Sequence, residues 1–88
     1  MTRTDVSRLE DLLPVLTELR SWPGVVERSP GTYYLRRQPF LHFHAGPAGR
    51  RADIRRPDDW LQYDLPEPST AATRRRFLAV LRDVYGQR

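Results

Sequence analysis

The chain has 88 residues, enough for one small domain that buries about two thirds of the surface of its extended form, and this length excludes an enzyme built from two lobes. It contains no Cys, so disulfides, thiolate metal sites and a Cys nucleophile are excluded. The formal net charge is +4 and all 15 basic residues are Arg, a residue that suits bidentate contact with phosphate and that a GC-rich genome also favours.

Membrane and export signals are missing from the sequence. No apolar run approaches the roughly 18 residues that a membrane-spanning helix needs. The first residues also lack the apolar centre of a signal peptide. We therefore expect a cytoplasmic protein with no membrane partner.

The first predicted element is a helix with one buried stripe. Apolar residues recur at steps of three and four over Val6–Leu19, and Asp5 or Ser7 is the expected cap. Pro14 interrupts this helix, because proline removes a backbone donor and clashes with the preceding turn. We expect either a kink at Pro14 or a short first turn, followed by a second helix that begins near Asp11 and holds Pro14 in its opening turn.

Four or five antiparallel strands follow, separated by turns rich in Pro and Gly. The first is Val25–Ser29, which the turn Pro30-Gly31 ends. The other strands are predicted at Thr32–Arg36, Pro39–His44, Arg51–Arg55 and Trp60–Leu65. A final helix starts at a cap on Ser69 or Thr70 and runs to about Tyr85, with Gly86 as the expected stop.

This order of elements predicts an α+β fold over residues 1–88. A single small domain would hold a four- to five-stranded antiparallel sheet between an N-terminal and a C-terminal helix, both packed on one face. In the central hairpin, alternation places Leu41 and Phe43 on the core face and Phe40, His42 and His44 on the other face. The expected cross-strand neighbours are Leu35 with Phe40 and Tyr33 with His42.

One segment resembles a known family. Trp22-Pro23-Gly24-Val25, followed by Gly31 and the tip Arg36-Arg37-Gln38-Pro39-Phe40, is similar to the small MmcQ/YjbR-like domains. Those domains often show a Leu-Pro-Gly-Val entry and a hairpin whose basic tip precedes a Phe. Over roughly residues 8–56, the resemblance implies an α+β fold with a curved antiparallel sheet, sometimes likened to a double-winged DNA-binding motif, and no established catalytic activity. The chain departs from the family pattern at His42-Phe43-His44 and in its lack of Lys.

The pattern His42-x-His44 indicates one candidate metal site. Residues two apart on a strand project from the same face, so two imidazoles can share a metal ion there. Asp53 on the next strand could add a carboxylate, which completes a set that suits a divalent metal. The alternative is that both histidines line a half-solvated sheet face and hydrogen-bond to Tyr33 or to a carboxylate.

Arg doublets beside the predicted turns indicate a second candidate site, for nucleic acid or phosphate. The residues are Arg36, Arg37, Arg50, Arg51, Arg55 and Arg56. Tyr33 and Tyr34 lie close in sequence and could stack on bases. The alternative is that these arginines are solvated turn residues, partly neutralised by the acidic segment that follows.

The leading hypothesis is a non-enzymatic binding domain that holds nucleic acid or phosphate through its Arg-rich hairpin tips. A catalytic serine elbow is absent and the five Gly are dispersed, so neither hydroxyl catalysis nor a Gly-rich phosphate loop is indicated. One alternative is a divalent metal or small ligand at the His-x-His strand, with no cofactor otherwise expected. The other is a protein partner or a homodimer, formed through Trp60–Leu65 if that strand lies at a sheet edge.

Overall fold

The computed structural model describes residues 6–88, and its first helical region divides at Pro14. A 3₁₀ helix spans Val6–Leu12, and helix α1 spans Leu13–Arg20 with Pro14 in its first turn. Pro14 is tolerated there because the first N–H groups of a helix have no intrahelical acceptor. The second of the two expected arrangements is therefore confirmed. Ser7 lies inside the 3₁₀ helix, and the expected cap at Asp5 lies outside the described residues.

A five-stranded antiparallel sheet follows, in which each strand pairs with the next one in the chain. Its strands are β1 (Val25–Ser29), β2 (Thr32–Leu35), β3 (Gln38–Gly46), β4 (Gly49–Arg55) and β5 (Trp60–Asp64). Helix α2 spans Ala71–Gln87, and the N-cap Thr70 accepts a hydrogen bond from the Thr73 N–H. Gly86 lies inside this helix, so the expectation that Gly86 marks its stop is wrong.

Both helices cover one face of the sheet, which confirms the predicted α+β fold. The buried side chains of β2, β3 and β4 alternate along each strand, as a half-covered sheet requires, except at the consecutive residues Phe40 and Leu41. They are Tyr33, Leu35, Phe40, Leu41, Phe43, Ala52 and Ile54. From the helices, the 3₁₀–α1 stripe and the α2 residues Phe77, Leu81 and Val84 complete one cluster. Within residues 6–88, no helix lies on the opposite face of the sheet, which is called the open face below.

A β-bulge in β3 changes the predicted faces of the central hairpin. Tyr33 pairs with Leu41 and Tyr34 pairs with Pro39, so Phe40 is an extra residue on β3. The bulge turns Phe40 into the core, where its ring lies 6.3 Å from the ring of Tyr85. The prediction that Phe40 shares a face with the histidines is therefore wrong, whereas Leu41 and Phe43 are buried as predicted.

The bulge also shifts the cross-strand partners. His42 pairs with Thr32 and Leu35 pairs with Gln38, so both expected pairs, Tyr33 with His42 and Leu35 with Phe40, are wrong. The hairpin closes through the two-residue turn Arg36–Arg37. Both residues have positive φ, 50° at Arg36 and 71° at Arg37. Such turns match the twist of the flanking strands, which explains why non-glycine residues adopt this backbone here.

Candidate nucleic-acid interface

The open face combines polar, charged and aromatic side chains, with one valine, from all five strands. They are Val26, Arg28, Thr32, Tyr34, His42, His44, Arg51, Asp53, Arg55, Trp60, Gln62 and Asp64. Trp60 and Val26 are the most exposed large apolar side chains of this face, at 44% and 54% of their full surface. An open sheet face of this composition is accessible to a flat ligand.

Two aromatic rings on the open face each lie under an arginine. The Arg28 guanidinium lies 4.8 Å from the Tyr34 ring centroid, and the Arg55 guanidinium lies 5.6 Å from the Trp60 centroid. Both distances are in the range of cation–π contacts. Tyr34 is on β2 and Trp60 is on β5, so three strand spacings, or ~14 Å, separate the two pairs across the sheet.

The turns at one end of the sheet bring basic residues together, because successive turns of a meander alternate between its two ends. The β2–β3 turn and the β4–β5 turn therefore lie at the same end, which places Arg36 and Arg37 on the same side as Arg55. Arg88, at the end of α2, donates to the carbonyl oxygens of Pro39 (3.1 Å) and Arg55 (2.9 Å). We call Arg36, Arg37, Arg55 and Arg88 the basic end.

The positive charges of the basic end lie close enough to repel one another. Partial burial, and then the positive charges of Arg55 and Arg36, lower the pKa of Arg88 below its ordinary value. Arg36 also lies over the Tyr85 ring, 5.8 Å from its centroid. None of the ion pairs found among residues 6–88 involves a member of the basic end. This end of the sheet is therefore suited to an anionic ligand.

Arg56 belongs to the same turn but is already engaged. Its guanidinium forms two hydrogen bonds with the Asp59 carboxylate, at 2.5 and 2.6 Å. These contacts lower the pKa of Asp59 and raise the pKa of Arg56. We therefore leave Arg56 out of the basic end.

Arg50 and Arg51 lie at the other end of the sheet, and Arg50 is buried. The Arg50 side chain has no exposed surface and pairs with both oxygens of Asp11, at 2.6 and 3.0 Å. It also donates to the carbonyl oxygens of Arg8 (2.7 Å) and Pro66 (2.6 Å). All of these bonds are internal, so the assignment of Arg50 to a phosphate-binding surface is corrected: this residue joins parts of the fold.

Tyr33 is buried as well, which removes it from the predicted stacking surface. Its side chain faces the helices, and its hydroxyl donates to Glu27 at 3.1 Å. Burial, followed by the negative charge of Glu27, raises the pKa of Tyr33 to about 12. Alternation along β2 then places Tyr34 on the open face, so only one of the two predicted tyrosines is accessible to a base.

His42 and His44 share the open face, with their ring centroids 4.2 Å apart. His44 Nε2 lies 2.8 Å from Asp53 Oδ2, and the Arg51 Nε–H donates to Asp53 Oδ1 at 3.1 Å. Partial burial, and then the neighbouring His44, lower the pKa of His42 below 6.5. The Asp53 carboxylate is thus already shared between a histidine and an arginine.

The predicted metal site does not gain support from this geometry. Across residues 6–88, no group of three or more His, Cys, Asp and Glu side chains is arranged to hold a metal ion. The observed contacts match the alternative to a metal site, in which the histidines line a half-solvated sheet face and pair with a carboxylate.

Three residues of the interface were not identified from the sequence. Trp60 and Arg28 lie at alternating positions of the two outer strands, and such alternation could have placed them on the face of Tyr34 once the strand order was known. Arg88 reaches the sheet from the end of α2, and no local pattern indicates that contact.

Comparisons with known proteins identify no relative. No protein-family model matches the chain, and neither the curated proteins nor the solved structures contain a match. The resemblance to MmcQ/YjbR-like domains therefore stays a prediction. In the part of the chain that the structure describes, no helix is both long and apolar enough to cross a membrane.

Proposed function

We propose that this protein binds single-stranded nucleic acid across the open face, with the phosphates held at the basic end. The observation that carries the proposal is the pair of arginine-covered rings, Tyr34 with Arg28 and Trp60 with Arg55, beside a turn made of two arginines. Aromatic rings and guanidinium planes are the groups on which unstacked bases lie. Bases in a duplex are already stacked and paired, so a single strand is the expected ligand.

The backbone of the Arg36–Arg37 turn supports this function. A non-glycine residue with positive φ costs ~1–2 kcal/mol, and this turn contains two. Asn-Gly would close the same turn with less strain. Residues held in an unfavourable backbone conformation are found preferentially at functional sites, and Arg37 is exposed with its guanidinium available to solvent.

The charges of the open face also favour binding at one end. Asp53 forms an ion pair with Arg51 and a contact with His44, and Asp59 forms an ion pair with Arg56. A phosphate chain that approaches the basic end meets four arginines that form none of the ion pairs found among residues 6–88, although the Asp58 carboxylate lies in the neighbouring β4–β5 turn. The protein's overall charge of +4 understates this local field.

Fluorescence anisotropy with a labelled single-stranded oligonucleotide tests the stacking role directly. We expect Tyr34→Ala and Trp60→Ala each to weaken binding by about 10-fold or more, because base–aromatic stacking contributes about 1–3 kcal/mol per base. Trp60→Phe retains a ring and should keep most of the affinity. A duplex of the same length should compete more weakly than the single strand.

Three results would count against the proposal. The first is no binding by the wild-type protein even at low salt. The second is equal affinity for the wild-type protein and for both alanine variants. The third is a loss in Trp60→Phe as large as that in Trp60→Ala, since this would point to a structural effect in place of stacking.

A further inference from the structure

The two edge strands of the sheet differ in how they are protected. β1 has a bulge between Glu27 and Ser29 and carries charged side chains there, and both features discourage pairing with another strand. β5 pairs with β4 in a regular register and contains no Pro, Lys or Arg. The β5 edge is therefore the one that can pair with a further strand.

The outward hydrogen-bonding groups of β5 can be assigned from its pairing with β4. The Leu65 N–H donates to the Arg50 carbonyl at 3.0 Å, and the Arg56 N–H donates to the Asp59 carbonyl at 2.8 Å. In an antiparallel pair, hydrogen-bonded and non-hydrogen-bonded positions alternate. The backbone groups of Leu61 and Tyr63 therefore point to β4, and those of Trp60, Gln62 and Asp64 point away from the sheet.

We propose that two copies of this chain associate through antiparallel pairing of their β5 strands, with the two-fold axis at Gln62. This register places all three outward residues in hydrogen-bonded pairs, Gln62 with Gln62 of the second copy and Trp60 with Asp64 of the second copy. Six backbone hydrogen bonds form, and the two sheets become one sheet of ten strands. The proposal does not depend on nucleic-acid binding.

The side chains of β5 are self-complementary in this register. Gln62 is uncharged, so no like charges meet at the axis. Arg55 lies over Trp60, which brings a positive charge opposite Asp64 of the second copy. On the helix side, Leu61 lies opposite Tyr63 of the second copy, and both of these half-exposed apolar side chains become covered. A second copy therefore satisfies the backbone, the charges and the apolar surface of this edge together.

Light scattering after size-exclusion chromatography tests the proposal without nucleic acid. The wild-type protein should show twice the chain mass of 10.3 kDa. Gln62→Pro removes only an outward N–H, so the pairing with β4 is retained. We expect Gln62→Pro to weaken the dimer by about 100-fold, because both central hydrogen bonds are lost. Gln62→Ala retains the N–H and should remain dimeric.

Two charged variants provide a second test that still applies if the proline variant fails to fold. Gln62→Lys and Gln62→Glu each place like charges at the axis and should be monomeric alone, whereas an equal mixture should form the mixed dimer. A wild-type monomer at the highest concentration reached would overturn the proposal, and the edge would then be left for a strand of another protein. A dimer whose stability is unchanged in folded Gln62→Pro, Gln62→Lys and Gln62→Glu would also overturn it.

Discussion

Arg50 joins three segments that are distant in the sequence. Its guanidinium contacts the Asp11 carboxylate, the carbonyl of Arg8 in the 3₁₀ helix and the carbonyl of Pro66 after β5. Asp11 in turn accepts hydrogen bonds from the Ser69 hydroxyl and N–H, just before α2. The ion pair between the buried Arg50 and the partly buried Asp11 therefore links the N-terminal helices to the sheet, and the Ser69 hydrogen bonds extend this link to the start of α2.

Removal of Arg50 should strongly destabilise the fold. We expect Arg50→Ala to lower the free energy of unfolding by about 3–5 kcal/mol, because Asp11 loses its partner in a partly buried place. Urea unfolding measures the change. Arg56→Ala is the matched control, since it breaks a bidentate pair on the surface and should leave stability nearly unchanged. Similar losses in the two variants would contradict this role of Arg50.

The same ion pair should make stability depend on acid pH. The hydrogen bonds from Arg50, and then those from Ser69, hold the pKa of Asp11 well below its ordinary value of 3.8, although partial burial acts in the opposite direction. A carboxyl whose pKa is lower in the folded state contributes fully above the pKa of the unfolded chain. That contribution is lost as the pH falls below about 4.

Unfolding free energies measured between about pH 6 and pH 2 test this dependence. We expect the wild-type protein to lose stability over the acid part of this range, and Asp11→Asn to be less stable at neutral pH but less sensitive to acid. Parallel pH curves for the two proteins would show that Asp11 is not the group responsible.

For single residues, the sequence allows the type of contact to be predicted, but not whether the side chain is buried or exposed. The three Arg doublets are alike as sequences, and alternation on a strand determines that Arg50 faces the helices while Arg51 faces outward. To make that assignment, one must know where β4 begins. The strand begins at Gly49, whereas the sequence pattern predicts a start at Arg51. Tyr33 and Tyr34 illustrate the same dependence on register.

Among the elements, the β2–β3 hairpin differs most from its prediction. The positions of β2 and β3 and the buried state of Leu41 and Phe43 could be inferred from alternation. The bulge that turns Phe40 inward could not, because it depends on the fit between two strands and on the position of Tyr85 in a helix far along the chain. The helices were easier to predict, since the periodic stripes and the Thr70 cap are local signals.

The strain in this hairpin gives a prediction about stability. Arg37 has φ 71°, a backbone conformation that glycine adopts without a steric penalty. We expect Arg37→Gly to raise the free energy of unfolding by about 0.5–1 kcal/mol, after allowance for the greater freedom of glycine in the unfolded chain. Arg37→Ala keeps the strain and should bring no gain. Urea unfolding distinguishes the two, and a loss of stability in Arg37→Gly would contradict the account of the turn.

For the whole molecule, the meander topology connects the separate sites. It places two of the three Arg doublets at one end of the sheet, and both helices of residues 6–88 lie on the face opposite the open face. The sequence was sufficient to predict the α+β class and the helices on one face. It was not sufficient to show that Arg88 returns to the sheet or that Trp60 and Tyr34 share a face, because both follow from packing over long distances in the chain.

The salt dependence of binding tests the proposed interface most directly. For single strands, the slope of the logarithm of the binding constant against the logarithm of salt concentration changes by about 0.7 for each phosphate contact. We expect Arg37→Ala to reduce this slope by about that amount. Arg75→Ala removes the same charge from an exposed position on α2, across the sheet from the open face, and should leave the slope unchanged. Equal slopes for Arg37→Ala and the wild-type protein, or an equal reduction in both variants, would contradict the account.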